Sequence, residues 1–482
     1  MRLKCLPAIF LLAALMPVIP ASAGAQEAAG THEVKVRDNS FQPQQILVDV
    51  GDTVTWKGGG FRPHTVTSDT KLFDSGRMSS SDEFSFTFRK KGKYYYHCTL
   101  HGAAKKGMWG VIVVGDLPKD ERDKVLVPDD YPTIQEAVAA AKPGAAIVVH
   151  PGRYEEEVVV ETDGLVIRGV DRFRTVLDGK GSIETGIHVT GDGVSVKNLT
   201  VTNYTDAGIR LEDAGDFAVR SVDLIDNRTF GLASIGSHGG SIKKSFAWGS
   251  GEAGILVGRC FACGVLVDDV RTKMNVLGVE VVNATGVTVR NSRLVQNGIG
   301  LLAHSSASIA GAPGRGLFLF GNSMSENNQQ QIPPAGMAQT YGLPFGTGIW
   351  LAGVKNTAVL DNIVSANARY GILITDALDG SEVPVNNRIQ GNEVAGSGSA
   401  LDLAWDGSGR NDCFDNNVAA TSGPPAIQDL YSCGLKPFEG TAYAPVRDDV
   451  DAAIAAGPQA DTVPPPKPLR PRCQRGRPGC KR

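Results

Sequence analysis

Residues 92–115 read GKYYYHCTLHGAAKKGMWGVIVVG. Two runs in this stretch, GKYYYHC and WGVIVVG, alternate apolar and polar side chains as half-buried strands do. Between them a cysteine, two histidines and a methionine fall within twelve positions, His97 to Met108, in a chain with only 8 Cys, 8 His and 7 Met. Upstream the same alternation recurs in HEVKVRD, QILVDV, DTVTWKG and FSFTFRK, each bounded by turn residues. Short strands at regular spacing predict a small antiparallel sandwich, and no helical period is visible.

A second histidine donor lies upstream, His64 in FRPHTVTSD. A thiolate (Cys98), two imidazoles (His64, His101) and a distant thioether (Met108) form the ligand set of a blue-copper centre. Zinc is the other metal such a set admits, although exported zinc sites more often use paired CxxC or HExxH spacings. His97 adjoins Cys98 on a strand and so points to the opposite face, away from any metal.

The pieces FQPQQILVDVGDTVTW, PHTVTSD, FDSG, GKYYYHCTLH and GMWGVIVV make residues 31–116 resemble the plastocyanin/pseudoazurin group of cupredoxins. The resemblance implies one mononuclear type 1 copper held by His64, Cys98 and His101, with Met108 as the weak axial ligand. It implies one-electron transfer to an external redox partner. One departure is the gap from His101 to Met108, lengthened by GAAKK.

After an expected linker at 117–126, the chain changes character. Thr133 and Glu136 have capping-box spacing ahead of a short apolar helical face, and Pro143-Gly144 ends that helix. A glycine followed by an apolar residue then recurs at 186, 208, 231, 254, 278, 300, 348 and 371, at intervals of 22, 23, 23, 24, 22, 48 and 23. A steady period of this size means stacked supersecondary units. Runs such as VSVKNLTVTN and VTVRNSRLVQN put three short strands in each coil, so residues 127–435 are expected to form a parallel β-helix. Asn198, Asn291, Asn322, Asn362 and Asn392 fall at matching turns, where asparagine tolerates left-handed backbone and stacked amides can bond. This region resembles right-handed parallel β-helix proteins, with an opening like that of pectin-esterase and lyase-type helices. The fold class is therefore all-β, a cupredoxin sandwich followed by a solenoid.

The reaction, if there is one, is not legible. The resemblance points to the face beside the glycine-led strand, with the long loop 327–346 as a wall and Asp206, Arg228, Glu252, Lys273, His304, Arg369, Tyr370 and Asp376 nearby. These are scattered, whereas glycoside hydrolysis needs two carboxylates at a defined separation. Catalytic residues stay unassigned, because this fold serves many functions.

The remaining features concern location. Arg2 and Lys4, an apolar run and ASAGA read as an export signal over residues 1–25, which places the protein outside the cytoplasm, in the cell envelope or beyond. No transmembrane segment is expected. Without Cys5, seven cysteines remain. Local pairs Cys260/Cys263, Cys413/Cys433 and Cys473/Cys480 suggest themselves and would leave Cys98 alone. Residues 436–482 read as a proline-rich basic tail, with seven Lys/Arg and no acid after Asp461. Net charge of -3 and a pI near 6.3 give no footprint for nucleic acid. The leading expectation is an exported copper protein with a one-electron role on a glycan- or protein-binding scaffold, a polysaccharide or cell-wall polymer being the glycan. A β-helix lyase, hydrolase or epimerase with an accessory copper domain is the first alternative, and a copper-holding or delivery factor the second.

Overall fold

A computed structural model describes residues 30–457 apart from 39, 43, 49, 60–61, 105, 115–123, 312, 332–333, 337–341, 397–400 and 435–436. The expected export signal, Cys5, most of the linker, the Cys473/Cys480 pair and the basic tip lie outside the described residues. The chain divides into two compact units, residues 1–119 and 120–482.

The first unit is a sandwich of two four-stranded sheets. One contains β1 (Thr31–Arg37), β2 (Ser40–Gln42), β4 (Thr53–Gly58) and β6 (Glu83–Thr87); the other contains β3 (Gln45–Val48), β5 (Thr67–Ser68), β7 (Gly92–Ala103) and β8 (Lys106–Val114). Alternation gives the core directly: Val34 and Val36 of β1, Val54 and Trp56 of β4, and Tyr96 and Cys98 of β7 face inward and are buried. Trp56 sits at the centre, its ring 5.2 Å from that of Tyr96 and 5.5 Å from that of Phe73. The expectation of an antiparallel sandwich is corrected here. β1 pairs with β4, and β3 with β8, in parallel. Side-chain alternation has the same period in both pairings, so it does not distinguish them.

The second unit is a solenoid whose three faces are parallel sheets of twelve, ten and eleven strands among the described residues. The first sheet runs from Lys124–Val127 to Cys413–Asp415, the second from Gly152–Tyr154 to Glu393–Ala395, and the third from Val158–Val160 to Ser422–Gly423. Lys124 already pairs with Ala146, so regular stacking begins inside the stretch expected to be linker. The glycine-led strands all belong to the third sheet. Their glycines are required by close approach: a Cβ on Gly231 would stand 2.4 Å from the Gly254 carbonyl oxygen of the next coil. One continuous aliphatic core fills the interior, closed at its start by α1 (Ile134–Ala140) and joined at its end by Ile427 of α2 (Ile427–Leu430). Thr133 caps α1 by accepting from the Glu136 amide at 3.1 Å, as its spacing predicts.

The turn asparagines separate into two classes that the sequence reading had merged. Asn198 and Asn291 adopt left-handed backbone, φ 61° and 52°. Asn322, Asn362 and Asn392 do not. They are buried and form a ladder in which each amide group donates to the next side-chain oxygen at 2.9 Å, continuing to Asn417 at 2.8 Å. A parallel ladder joins Asn275, Asn297, Asn327 and Asn367. Disulfides join Cys260 to Cys263 and Cys413 to Cys433.

Residues 437–457, read from sequence as part of a tail, instead fold back on the solenoid. α3 (Ala444–Ala455) buries Val446 and Val450 in a second apolar cluster with Trp350, Tyr370 and Leu373, on the outside of the third sheet. Among the described residues no helix is long and apolar enough to cross a membrane.

Candidate metal centre

His64, Cys98 and His101 come together in the first unit, their donor atoms all within 4.8 Å of one another. No other group of three or more His, Cys, Asp or Glu gathers this way among the described residues. Cys98 and His101 lie on β7 where its pairing with β8 breaks register, between His97 and Gly102. Such an irregularity re-aims side chains that a regular strand would send to opposite faces. His64 lies between β4 and β5, and its backbone is fixed by reciprocal bonds with Met78, 3.0 and 2.8 Å.

Both imidazoles present Nδ1 to the sulfur. Cys98 Sγ is 3.8 Å from His64 Nδ1 and 3.4 Å from His101 Nδ1. The Thr65 amide donates to the same sulfur at 3.3 Å. His64 is buried, with Nε2 3.4 Å from Asp38 Oδ1. Burial, opposed by the Asp38 contact and helped by the charge of His101, holds the His64 imidazolium below its ordinary pKa. A neutral imidazole keeps the lone pair that a metal requires. Cys98 is the free cysteine among the described residues and is fully buried.

Met108 is 1% exposed and belongs to the same core cluster as Cys98. The lengthened gap before it is taken up as a hairpin extension. Gly102 pairs with Gly107 and Ala103 with Lys106, so the β7–β8 pairing resumes past His101. A Cβ on Gly102 would stand 2.7 Å from the Met108 amide nitrogen, so the methionine backbone lies tight against the residue after His101. His97 is apart from this group, its Nδ1 2.6 Å from Asp69 Oδ1.

Sequence reasoning missed the residues that hold the ligand strands in place. Thr65 Oγ1 accepts from the Thr99 amide at 2.9 Å and lies 3.1 Å from Thr99 Oγ1, tying the neighbours of His64 and Cys98 together. Met78 also braces His64 through its backbone. Threonine is ordinary in strands, so nothing in the sequence singled these positions out.

The solenoid candidates do not converge. Asp206 pairs with Arg210, and His304 with Glu280 at 2.9 Å in full burial. α3 takes up three more. Asp449 receives Arg369 Nε and Nη2 at 2.8 Å and Tyr370 Oη at 2.6 Å, while Arg447 reaches Asp376 at 3.2 Å. Part of loop 327–346 covers the third sheet: Leu343 is buried there, and Ala335 donates to the Gly251 carbonyl at 2.7 Å. The glycine-led face is thus roofed along much of its length, where a wall beside an open groove was expected.

A family model described as a cupredoxin-like domain matches residues 8–114, and one described as a right handed beta helix region matches 185–343 and 278–419. Amicyanin-alpha of Methylorubrum extorquens is 32% identical over 100 residues, 19% of this chain and 84% of that protein. The chain belongs to the cupredoxin family. Amicyanin of Paracoccus denitrificans is 32% identical to this cupredoxin over 84 residues, 16% of this chain, and the chain spans 64% of the amicyanin's length. Along the solenoid, the A-module of the mannuronan C-5 epimerase AlgE4 of Azotobacter vinelandii aligns with 59% of this cupredoxin chain and 88% of its own, at 16% identity and TM-score 0.44.

Proposed function

We propose that this protein is an exported type 1 copper protein with a one-electron transfer role, carried on a β-helix that serves as a glycan- or protein-binding scaffold. The observation that carries the reading is the convergence of two imidazole Nδ1 atoms on one buried, unpaired thiol. That donor set fits copper: a thiolate and two neutral imidazoles suit it, and the disulfides elsewhere in the chain match an oxidising compartment. His64, Cys98 and His101 would hold the ion, with Met108 as the axial ligand. Bound copper supplies a Cu(II)/Cu(I) couple.

The chain's own contribution is to keep the site fixed and dry. Burial of Cys98 and His64 excludes water, and the Thr65 amide supports negative charge on the sulfur. The threonine pair holds the two ligand-bearing segments in one arrangement. His101 is only partly buried and stands beside Leu100, 49% exposed, so an external redox partner would meet the histidine end. The export signal is assigned to residues 1–25, the copper domain to 31–116, and the scaffold to the solenoid.

The test is an absorption spectrum of the mature chain with Cu(II), with Cys98→Ser as the comparison. An intense visible band, lost in Cys98→Ser and bleached reversibly by one electron, is expected. A folded, copper-loaded chain with no such band overturns the reading, as does a variant that keeps it.

A further inference from the structure

From Ser195–Lys197 to Thr288–Arg290, each three-residue strand on the first sheet of the solenoid turns its middle residue inward and its two neighbours outward. Val196, Val219, Ile242, Val267 and Val289 are buried in the core. The outward residue that follows each is, coil by coil, Lys197, Arg220, Lys243, Asp268 and Arg290, and the register places each beside the next. Parallel neighbours in such a sheet stand about 4.8 Å apart. With Arg168, which pairs in register with Lys197, four cations are therefore stacked in succession, and a fifth follows a single acid. That acid is engaged locally, by Arg290 at 3.2 Å and by the Asn291 amide group at 2.9 Å.

Like charges set directly beside one another in a sheet are destabilising. The other outward position in the same strands is mostly small, Ser195, Ala218, Ser241 and Thr288 among them, so the row is not crowded on that side. In the next coil the row continues from Arg290 to Phe320. Phe320 forms a ring pair with Phe318 at 5.1 Å, and Phe318 is 38% exposed. A line of cations at one-coil intervals, broken once by the Asp268–Arg290 pair and followed by a ring pair of which Phe318 is exposed, suits a linear chain that carries anions at intervals and has an apolar ring face to stack.

We propose that this face, from Lys197 to Phe320, binds a linear acidic polysaccharide, with its carboxylates along the cation row and a sugar ring against the phenylalanine pair. The proposal rests on the reading of the β-helix as a glycan-binding scaffold, and places the site on a different sheet from the glycine-led face. A duplex nucleic acid matches less well, because it presents one charge per about 1.7 Å of axis on a curved surface.

The experiment is equilibrium binding of the full chain to polygalacturonate, with the fully methyl-esterified polymer and duplex DNA as controls, for the parent and for Arg220→Gln combined with Lys243→Gln. Both positions point outward, so the double variant should fold, and its melting curve checks this. The parent is expected to bind polygalacturonate with a steep salt dependence and to ignore the esterified polymer. The double variant should lose roughly tenfold in affinity and show a shallower salt slope. A double variant that binds like the parent overturns the site but leaves the scaffold reading standing on another face. Equal binding of the esterified polymer, or tighter binding of DNA, overturns carboxylate-glycan recognition. If no glycan, charged or neutral, binds in a wider panel, the site and the glycan scaffold fall together, while the copper spectrum still reports on the other half of the reading.

Discussion

Asp412 shows how one residue can sit at odds with the element around it. It ends a short side-chain ladder, accepting from the Asn387 amide at 2.9 Å and from its side-chain nitrogen at 2.7 Å, both on Oδ1. Its other oxygen, Oδ2, is buried without a partner. Burial, only partly offset by the Asn387 bonds, pushes the carboxyl up to about 7. The folded value lies above the ordinary carboxylate value, so ionisation penalises the folded state. The penalty begins as pH rises past about 4 and is complete above about 7. Asp412→Asn should therefore stabilise the solenoid by about 2 kcal/mol at pH 8 and by little at pH 4, read as the change in unfolding midpoint at the two pH values. Cys98 is the opposite case, a buried residue that agrees with its surroundings. That it stands apart was legible because Cys260, Cys263, Cys413 and Cys433 have near neighbours to pair with. Thr65 and Thr99 were not legible, since their value lies in a contact across 34 residues.

At the scale of elements, α3 is the clearest departure from the linear reading. Its stretch carries acids and alanines in a region whose later prolines and basic residues suggested a solvated tail. Helix and solenoid meet through apolar contacts and through Asp449, which Arg369 and Tyr370 engage together. Burial opposes ionisation of Asp449, but the bonds from Arg369 and Tyr370 and the charge of Arg369 outweigh it and hold the carboxyl below its ordinary value. A depressed folded value means that the stabilisation is present above about pH 4 and is lost as pH falls through the folded value. Asp449→Ala should loosen the helix by about 1 kcal/mol at neutral pH, seen as faster amide exchange across residues 444–455. The effect should disappear in acid. Beyond His101 the added stretch continues the β7–β8 hairpin, with Gly102 paired to Gly107 and Ala103 to Lys106.

At the scale of the whole molecule, the two units have separate cores: an aromatic one around Trp56, and an aliphatic one running through the coils. Separate cores allow separate unfolding. Calorimetry of the mature chain should show two transitions. Copper should raise only the one that Cys98→Ser makes insensitive to the metal, by about 4 kcal/mol of stability at a thousandfold excess over Kd. A single transition, or one in which both midpoints move with copper, would contradict this independence.

The sequence by itself determined the two architectures and singled out His64, Cys98 and His101, which the fold brings together. Alternation and a 23-residue glycine period are local patterns, and each forces one way of burying apolar surface. It suggested the Cys260/Cys263 and Cys413/Cys433 pairs without fixing them, and the structure joins both. Only the tertiary structure decided what distant segments do to one another. It determined that β1 and β4 run parallel, that asparagines at equivalent turns divide into left-handed and ladder-forming classes, and that α3 and part of a long loop roof the glycine-led face. It also aligned cations from successive coils into one row. These outcomes depend on contacts between residues tens of positions apart, and a local pattern carries no record of them.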